Sequence, residues 1–147
     1  MAVKVKICGI TSSQQALLAQ DAGADALGLV IYQGSSRCVD IERAIEIRGA
    51  IRPGVLCVVL LVNANTHFVQ QVISSVKPDL IQFHGDETAE FCRQFKFPYI
   101  RAIRMRDDLN ISEEIDQYSD SDWLLFDAWH ANAYGGTGKR FKWDRLP

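Results

Sequence analysis

The sequence predicts an α/β protein built from repeated strand-helix units on a parallel sheet. Three observations lead there. Short apolar runs recur along the chain, amphipathic stretches of helical length separate them, and Pro53, Pro78 and Pro98 fall in the connections that return to the next run.

The first run is "VKVKIC", Val3 to Cys8. After it, "SSQQALLAQDAGA" opens with Ser12 or Ser13 as a cap, carries Ala16, Leu17, Ala19 and Gln20 at helical spacing, and stops at Gly23, where a glycine suits the residue past a helix end. "ALGLVIY" (Ala26 to Tyr32) is the second strand, followed by a helix over about Ile41 to Ala50. "VLCVVLLV" (Val55 to Val62) and a helix from Thr66 to Val76 form the third unit. "LIQF" (Leu80 to Phe83) precedes a helix from Thr88 to Phe95, and "YIRAI" (Tyr99 to Ile103) precedes one from Ile111 to Tyr118. "WLLF" (Trp123 to Phe126) is the sixth strand, with Lys142 onward as the start of a sixth helix.

Helical crossovers demand parallel pairing of these six strands. Two architectures satisfy that demand. A doubly wound sheet is complete at this size, whereas a (β/α)8 barrel needs two more units and at least ~200 residues. Length favours the sheet, yet "CGITSS" after the first strand has one glycine where a dinucleotide fold carries G-x-G-x-x-G.

Composition removes several function classes. The 147 residues are 48% apolar and 23% charged, as expected of one domain, 1–147, with a real core. Sixteen Lys and Arg stand against 18 Asp and Glu, a net charge of -2, and no basic run marks a nucleic-acid face. "VLCVVLLV" is far short of the ~20 residues that span a bilayer, and "MAVKVKICGITSS" lacks the layout of a signal peptide. The expected location is therefore cytoplasmic, with no nucleic acid or membrane partner. Cys8, Cys38, Cys57 and Cys92 form no C-x-x-C pair, and His67 and His130 show no ligand spacing, so neither a disulfide frame nor a metal site is expected.

In either architecture ligands bind at the carboxyl ends of the strands. There the chain places Cys8-Gly9, Tyr32 with "QGSSR" and Arg37, Asn63, Gln82 with His84-Gly85, and Asp127. Taken singly, Cys8 reads as core packing and Asp127 as a turn residue; together they put several reactive groups on one rim. "YGGTGK", Tyr134 to Lys139, is not a P-loop, because G-x-x-x-x-G-K-[ST] requires Gly at position 133 and Ser or Thr at 140, where the chain has Ala133 and Arg140.

Five ordered motifs, "VKICGIT", "YQGSSR", "VNANT", "IQFHGDE" and "LLFDAWHANAYGGTGKRFKW", give the chain a resemblance to phosphoribosylanthranilate isomerase of tryptophan biosynthesis. The resemblance implies a (β/α)8 barrel of TIM type, with only about six of its units in this chain and so C-terminally incomplete. It implies an Amadori rearrangement of N-(5-phosphoribosyl)anthranilate without metal or cofactor. Opening the sugar ring needs an acid and forming the enolamine needs a base. The resemblance gives the acid role to Asp127, the base role to Cys8, and the substrate's carboxylate to Arg37; Gln82, His84, Gly135 and Gly136 are further substrate-binding candidates, with bracing of the rim as the alternative for Gln82 and His84. An acid role for Asp127 requires surroundings that keep its proton, and a base role for Cys8 requires a stabilised thiolate. The glycine-rich loop becomes a cover over the substrate.

A phosphorylated small molecule is the implied partner, but the barrel loops that usually hold the phosphate follow strands seven and eight. Six strands would leave two open edges. Three explanations stand: a longer polypeptide, a truncated remnant or interaction module without catalysis, or two chains completing each other as a homodimer. A related aldose-ketose isomerase of histidine biosynthesis uses a pair of Asp residues, and Cys8 in the first position argues against that substrate.

Overall fold

A computed structural model of the chain describes residues 2–147. Six parallel strands lie in the order β1-β2-β3-β4-β5-β6. They are β1 (Lys6–Cys8), β2 (Ala26–Val30), β3 (Leu56–Leu61), β4 (Leu80–Phe83), β5 (Tyr99–Met105) and β6 (Trp123–Ala128), each separated from the next by a helix: α1 (Ser13–Asp21), α2 (Ile41–Ala50), α3 (Thr66–Val76), α4 (Ala89–Arg93) and α5 (Ile111–Gln117). This is the sequential strand order of a (β/α) barrel, and it excludes the doubly wound alternative, whose order reverses at a switch point. The sheet is an open arc with β1 and β6 at its edges.

Local chemistry sets the boundaries. Ser12 caps α1 by accepting from the Gln15 amide, and Gly23 follows its end at φ +98. Asp40, Asn65, Thr88 and Asn110 cap the next four helices in the same way. Helix α4 is shorter than the pattern predicts, because Thr88 spends its hydroxyl on the cap and Lys96 turns the chain at φ 48. Where the sequence predicts the start of a sixth helix, the chain forms a 3-10 turn, Trp143–Arg145.

Alternation along the strands makes two apolar faces. Leu27, Leu29, Val59, Leu61, Ile81 and Phe83 pack against Ala16, Ala44, Ile47, Val69 and Val72 of the helices, forming the main core. Ala26, Val58, Leu80 and Ile100, with Leu125 against them, form a smaller cluster between the strands. Lys6, Cys8, Gln82 and Asp127 occur among the residues whose side chains are left to line a cavity, so polar groups sit where a barrel keeps its site.

Candidate active site

The cavity encloses about 600 Å³, and Cys8, Arg37, Gln82, His84, Asp127, Gly135 and Gly136 all line it. The seven residues given a catalytic or substrate-binding role in the sequence analysis thus reach one concavity. Asn63 does not; it lies at φ 51 on the neighbouring rim. His67, in α3, and His130 are also absent from the lining.

Glycines make the room. Cys8 pairs in register with Gly28, where a Cβ would sit 2.7 Å from the thiol sulfur. Gly9, at φ +90, leaves the space that the Arg37 guanidinium occupies, and Arg37 Nη1 donates to the Cys8 carbonyl at 2.8 Å. Arg37 is an exposed residue on the cavity wall, where a guanidinium can reach a carboxylate. A Cβ on Gly135, at φ +81, would stand 2.9 Å from His84 Nε2 and 3.0 Å from Asp127 Oδ2, so the loop backbone lies directly on that pair.

Asp127 lies inside β6, in register with Arg104, and not after the strand as the apolar run suggested. Its Oδ2 is 3.0 Å from His84 Nε2, and its Oδ1 accepts from the Ala128 amide at 2.9 Å. The Asp127 side chain is 28% exposed and that of His84 is 7% exposed, so the carboxyl alone of the two faces the cavity openly. His84 Nδ1 is 2.8 Å from Gln82 Nε2, and Gln82 Oε1 accepts from Lys6 Nζ at 2.6 Å. Lys6 was not singled out in the sequence, although period-two alternation puts it on the same face as Cys8.

A buried ion pair shapes the turn that carries His84. Glu87 accepts from the Gly85 and Asn63 amides, each at 2.8 Å, and from Arg101 Nη1 at 3.0 Å. Arg101 Nη2 donates to the Gly85 carbonyl at 3.0 Å, and Tyr118 donates its hydroxyl to the Glu87 carbonyl at 2.7 Å.

The loop after β6 is tied down by Tyr134. Its ring lies 4.5 Å below the Arg104 guanidinium and meets Tyr32 edge-on at 6.1 Å. The Tyr134 hydroxyl holds the Asp86 carboxyl below the usual range, assisted by Arg104 and Asn63, and the same bond pushes the Tyr134 phenol up. Elsewhere, burial pushes the Cys57 and Cys92 thiols up to about 12, which leaves them unreactive. Among the described residues no group of three or more His, Cys, Asp or Glu is placed to hold a metal ion, and no helix is long and apolar enough to cross a membrane.

Comparison with known proteins gives one result by three routes. The family model for N-(5'-phosphoribosyl)anthranilate (PRA) isomerase matches residues 5–147. A Neisseria meningitidis N-(5'-phosphoribosyl)anthranilate isomerase is 49% identical over 144 residues, 98% of this chain and 69% of the relative, and one from Alcanivorax borkumensis is 43% identical over 144 residues, 98% and 66% respectively. The crystal structure of the Thermotoga maritima phosphoribosyl anthranilate isomerase superimposes with a TM-score of 0.86 at 34% identity, covering 97% of this chain and 69% of that one. Another, in complex with reduced 1-(o-carboxyphenylamino)-1-deoxyribulose 5-phosphate, gives a TM-score of 0.80 at 32% identity over 87% of this chain and 66% of that one. The chain therefore spans about two thirds of the length of the proteins it matches.

Proposed function

The chain belongs to the N-(5'-phosphoribosyl)anthranilate isomerase family, and we propose that it performs that family's reaction, the Amadori rearrangement of N-(5-phosphoribosyl)anthranilate to 1-(2-carboxyphenylamino)-1-deoxyribulose 5-phosphate in tryptophan biosynthesis. The observation that carries this reading is the convergence of Cys8, Arg37 and Asp127 on one cavity of about 600 Å³.

Asp127, protonated, gives its proton to the ring oxygen of the aminosugar as the C1′–O bond breaks and the anilino nitrogen forms a C=N bond. The Cys8 thiolate then takes the proton from C2′, and the electron pair moves through C1′ to nitrogen to give the enolamine. Tautomerisation to the C2′ ketone completes an isomerisation in which no atom is gained or lost. Arg37 pairs with the anthranilate carboxylate and so orients the sugar between acid and base. Gln82 and His84 brace the wall beside the acid, and Gly135 and Gly136 let the loop backbone close over the substrate.

A cytoplasmic setting and a homodimer belong to the same reading. The four free cysteines support a reducing compartment, and a Thermotoga maritima relative described as dimeric supports self-association.

The test is turnover by the purified chain, with the keto product separated from the aminosugar chromatographically. Substrate loss no faster than in buffer would sink the proposal for this chain.

A further inference from the structure

The relay Lys6–Gln82–His84–Asp127 is used only in part by the chemistry above. Its first bond spans the concave side of the sheet, from β1 to β4, two strands that are not neighbours. Lys6 therefore does something more local than holding adjacent strands together.

A lysine ammonium has donors and no acceptor. The Gln82 atom that faces Lys6 Nζ at 2.6 Å must then be the carbonyl oxygen, which turns Nε2 toward His84 Nδ1 at 2.8 Å. Gln82 is only 1% exposed with these two partners in place. An amide NH2 can only donate, so Nδ1 must present its lone pair, and a neutral imidazole then carries its single proton on Nε2. That proton points at Asp127 Oδ2, 3.0 Å away.

We propose that Lys6 is a positioning residue that selects the Nε2–H tautomer of His84 through the Gln82 amide, so that His84 donates to Asp127 and offers it no lone pair. The consequence concerns where the acid's proton goes. With the opposite tautomer, His84 Nε2 would be a base beside Asp127 and would draw the proton away from the sugar. With the selected tautomer the Asp127 O–H has only the substrate as acceptor on the cavity side, and the carboxylate left after transfer keeps the His84 bond.

This inference rests on the isomerase reading for its catalytic consequence but not for its structural content, and the test separates the two. Nitrogen-15 NMR of the ring nitrogens of His84 in the full chain reads the tautomer directly and requires no turnover. The expected wild-type signature is a protonated Nε2 and an unprotonated Nδ1 near neutral pH; a protonated Nδ1 overturns the proposal with no variant needed. Lys6→Met, which keeps the stem but removes the donors, should free the Gln82 amide to turn and give a mixture of tautomers. Lys6→Arg, again a donor only, should restore the single form.

In the assay Lys6→Met should lower kcat about tenfold or more with little change in KM, still less than the roughly 10⁴ that a fully wrong tautomer costs a Ser-His-Asp triad. A raised KM with unchanged kcat and unchanged tautomer would make Lys6 a substrate ligand and overturn the assignment. An inactive wild-type chain that shows the expected tautomer, lost in Lys6→Met, would refute the isomerase reading and leave the relay standing.

Discussion

Tyr134 donates its hydroxyl to Asp86 at 2.6 Å, which fastens the loop after β6 to the turn after β4. The bond favours a charged Asp86 and a neutral Tyr134, so each sets one pH limit on loop docking. Docking lowers the Asp86 value, so its contribution is complete above the ordinary 3.8 and is lost as the pH falls through the lowered one. It raises the Tyr134 value, so its contribution is complete below the ordinary 10.0 and is lost as the pH rises through the raised one. Fluorescence of Trp129, at the base of the loop, should follow both limbs, and Tyr134→Phe should lack the alkaline one. Because the Asp86 side chain is 58% exposed, the same change should weaken docking by no more than about 1 kcal/mol, read as faster tryptic cleavage at Lys139 and Arg140.

Cys8→Ala and Asp127→Asn should each lower kcat by about 10² to 10⁴, the usual contribution of a positioned acid or base. Circular dichroism should be unchanged, since both side chains face the cavity. Near-normal turnover in either variant removes that residue from the mechanism.

Arg37→Ala should act on KM more than on kcat. Loss of a hydrogen bond to a charged group is worth about 1.5–3 kcal/mol, or roughly 10- to 150-fold in binding. A substrate analogue without the ring carboxylate should bind the variant and the wild type equally; if it discriminates between them, Arg37 has another role.

Gly28→Ala should harm the site without touching it chemically. The added Cβ would stand 2.7 Å from the Cys8 sulfur and 3.1 Å from its Cα, forcing the thiol or the strand to move. Overpacking of this kind costs about 1–3 kcal/mol. Lower stability in urea together with lower kcat is expected; full activity would show that the thiol has slack.

Arg101→Met should be the most damaging of these changes to the fold. It leaves the Glu87 carboxylate, whose side chain is 3% exposed, with two backbone amides but no counter-charge, and removing one partner of a buried pair costs about 3–5 kcal/mol. Arg101 itself gains less than its full set of bonds, because its Nε has no partner among the described residues. The double variant Arg101→Met with Glu87→Gln should recover part of the loss in a urea titration. A single variant as stable as wild type would mean that water reaches Glu87.

What the sequence alone determined was local and periodic. Apolar runs alternating with amphipathic stretches, with Ser12 as a cap and Gly23 as a stop, specify the alternation of strand and helix, because each signal acts within a few residues. Strand-end position and motif resemblance together singled out Cys8, Arg37, Gln82, His84, Asp127, Gly135 and Gly136, all of which line the cavity. The arc of the sheet decided the rest. It brings Lys6 within 2.6 Å of Gln82, 76 positions away, and Tyr134 onto Asp86, 48 positions away. Such bonds depend on the register and curvature of several strands at once, and no pattern within one strand encodes which polar group will stand opposite another across the barrel.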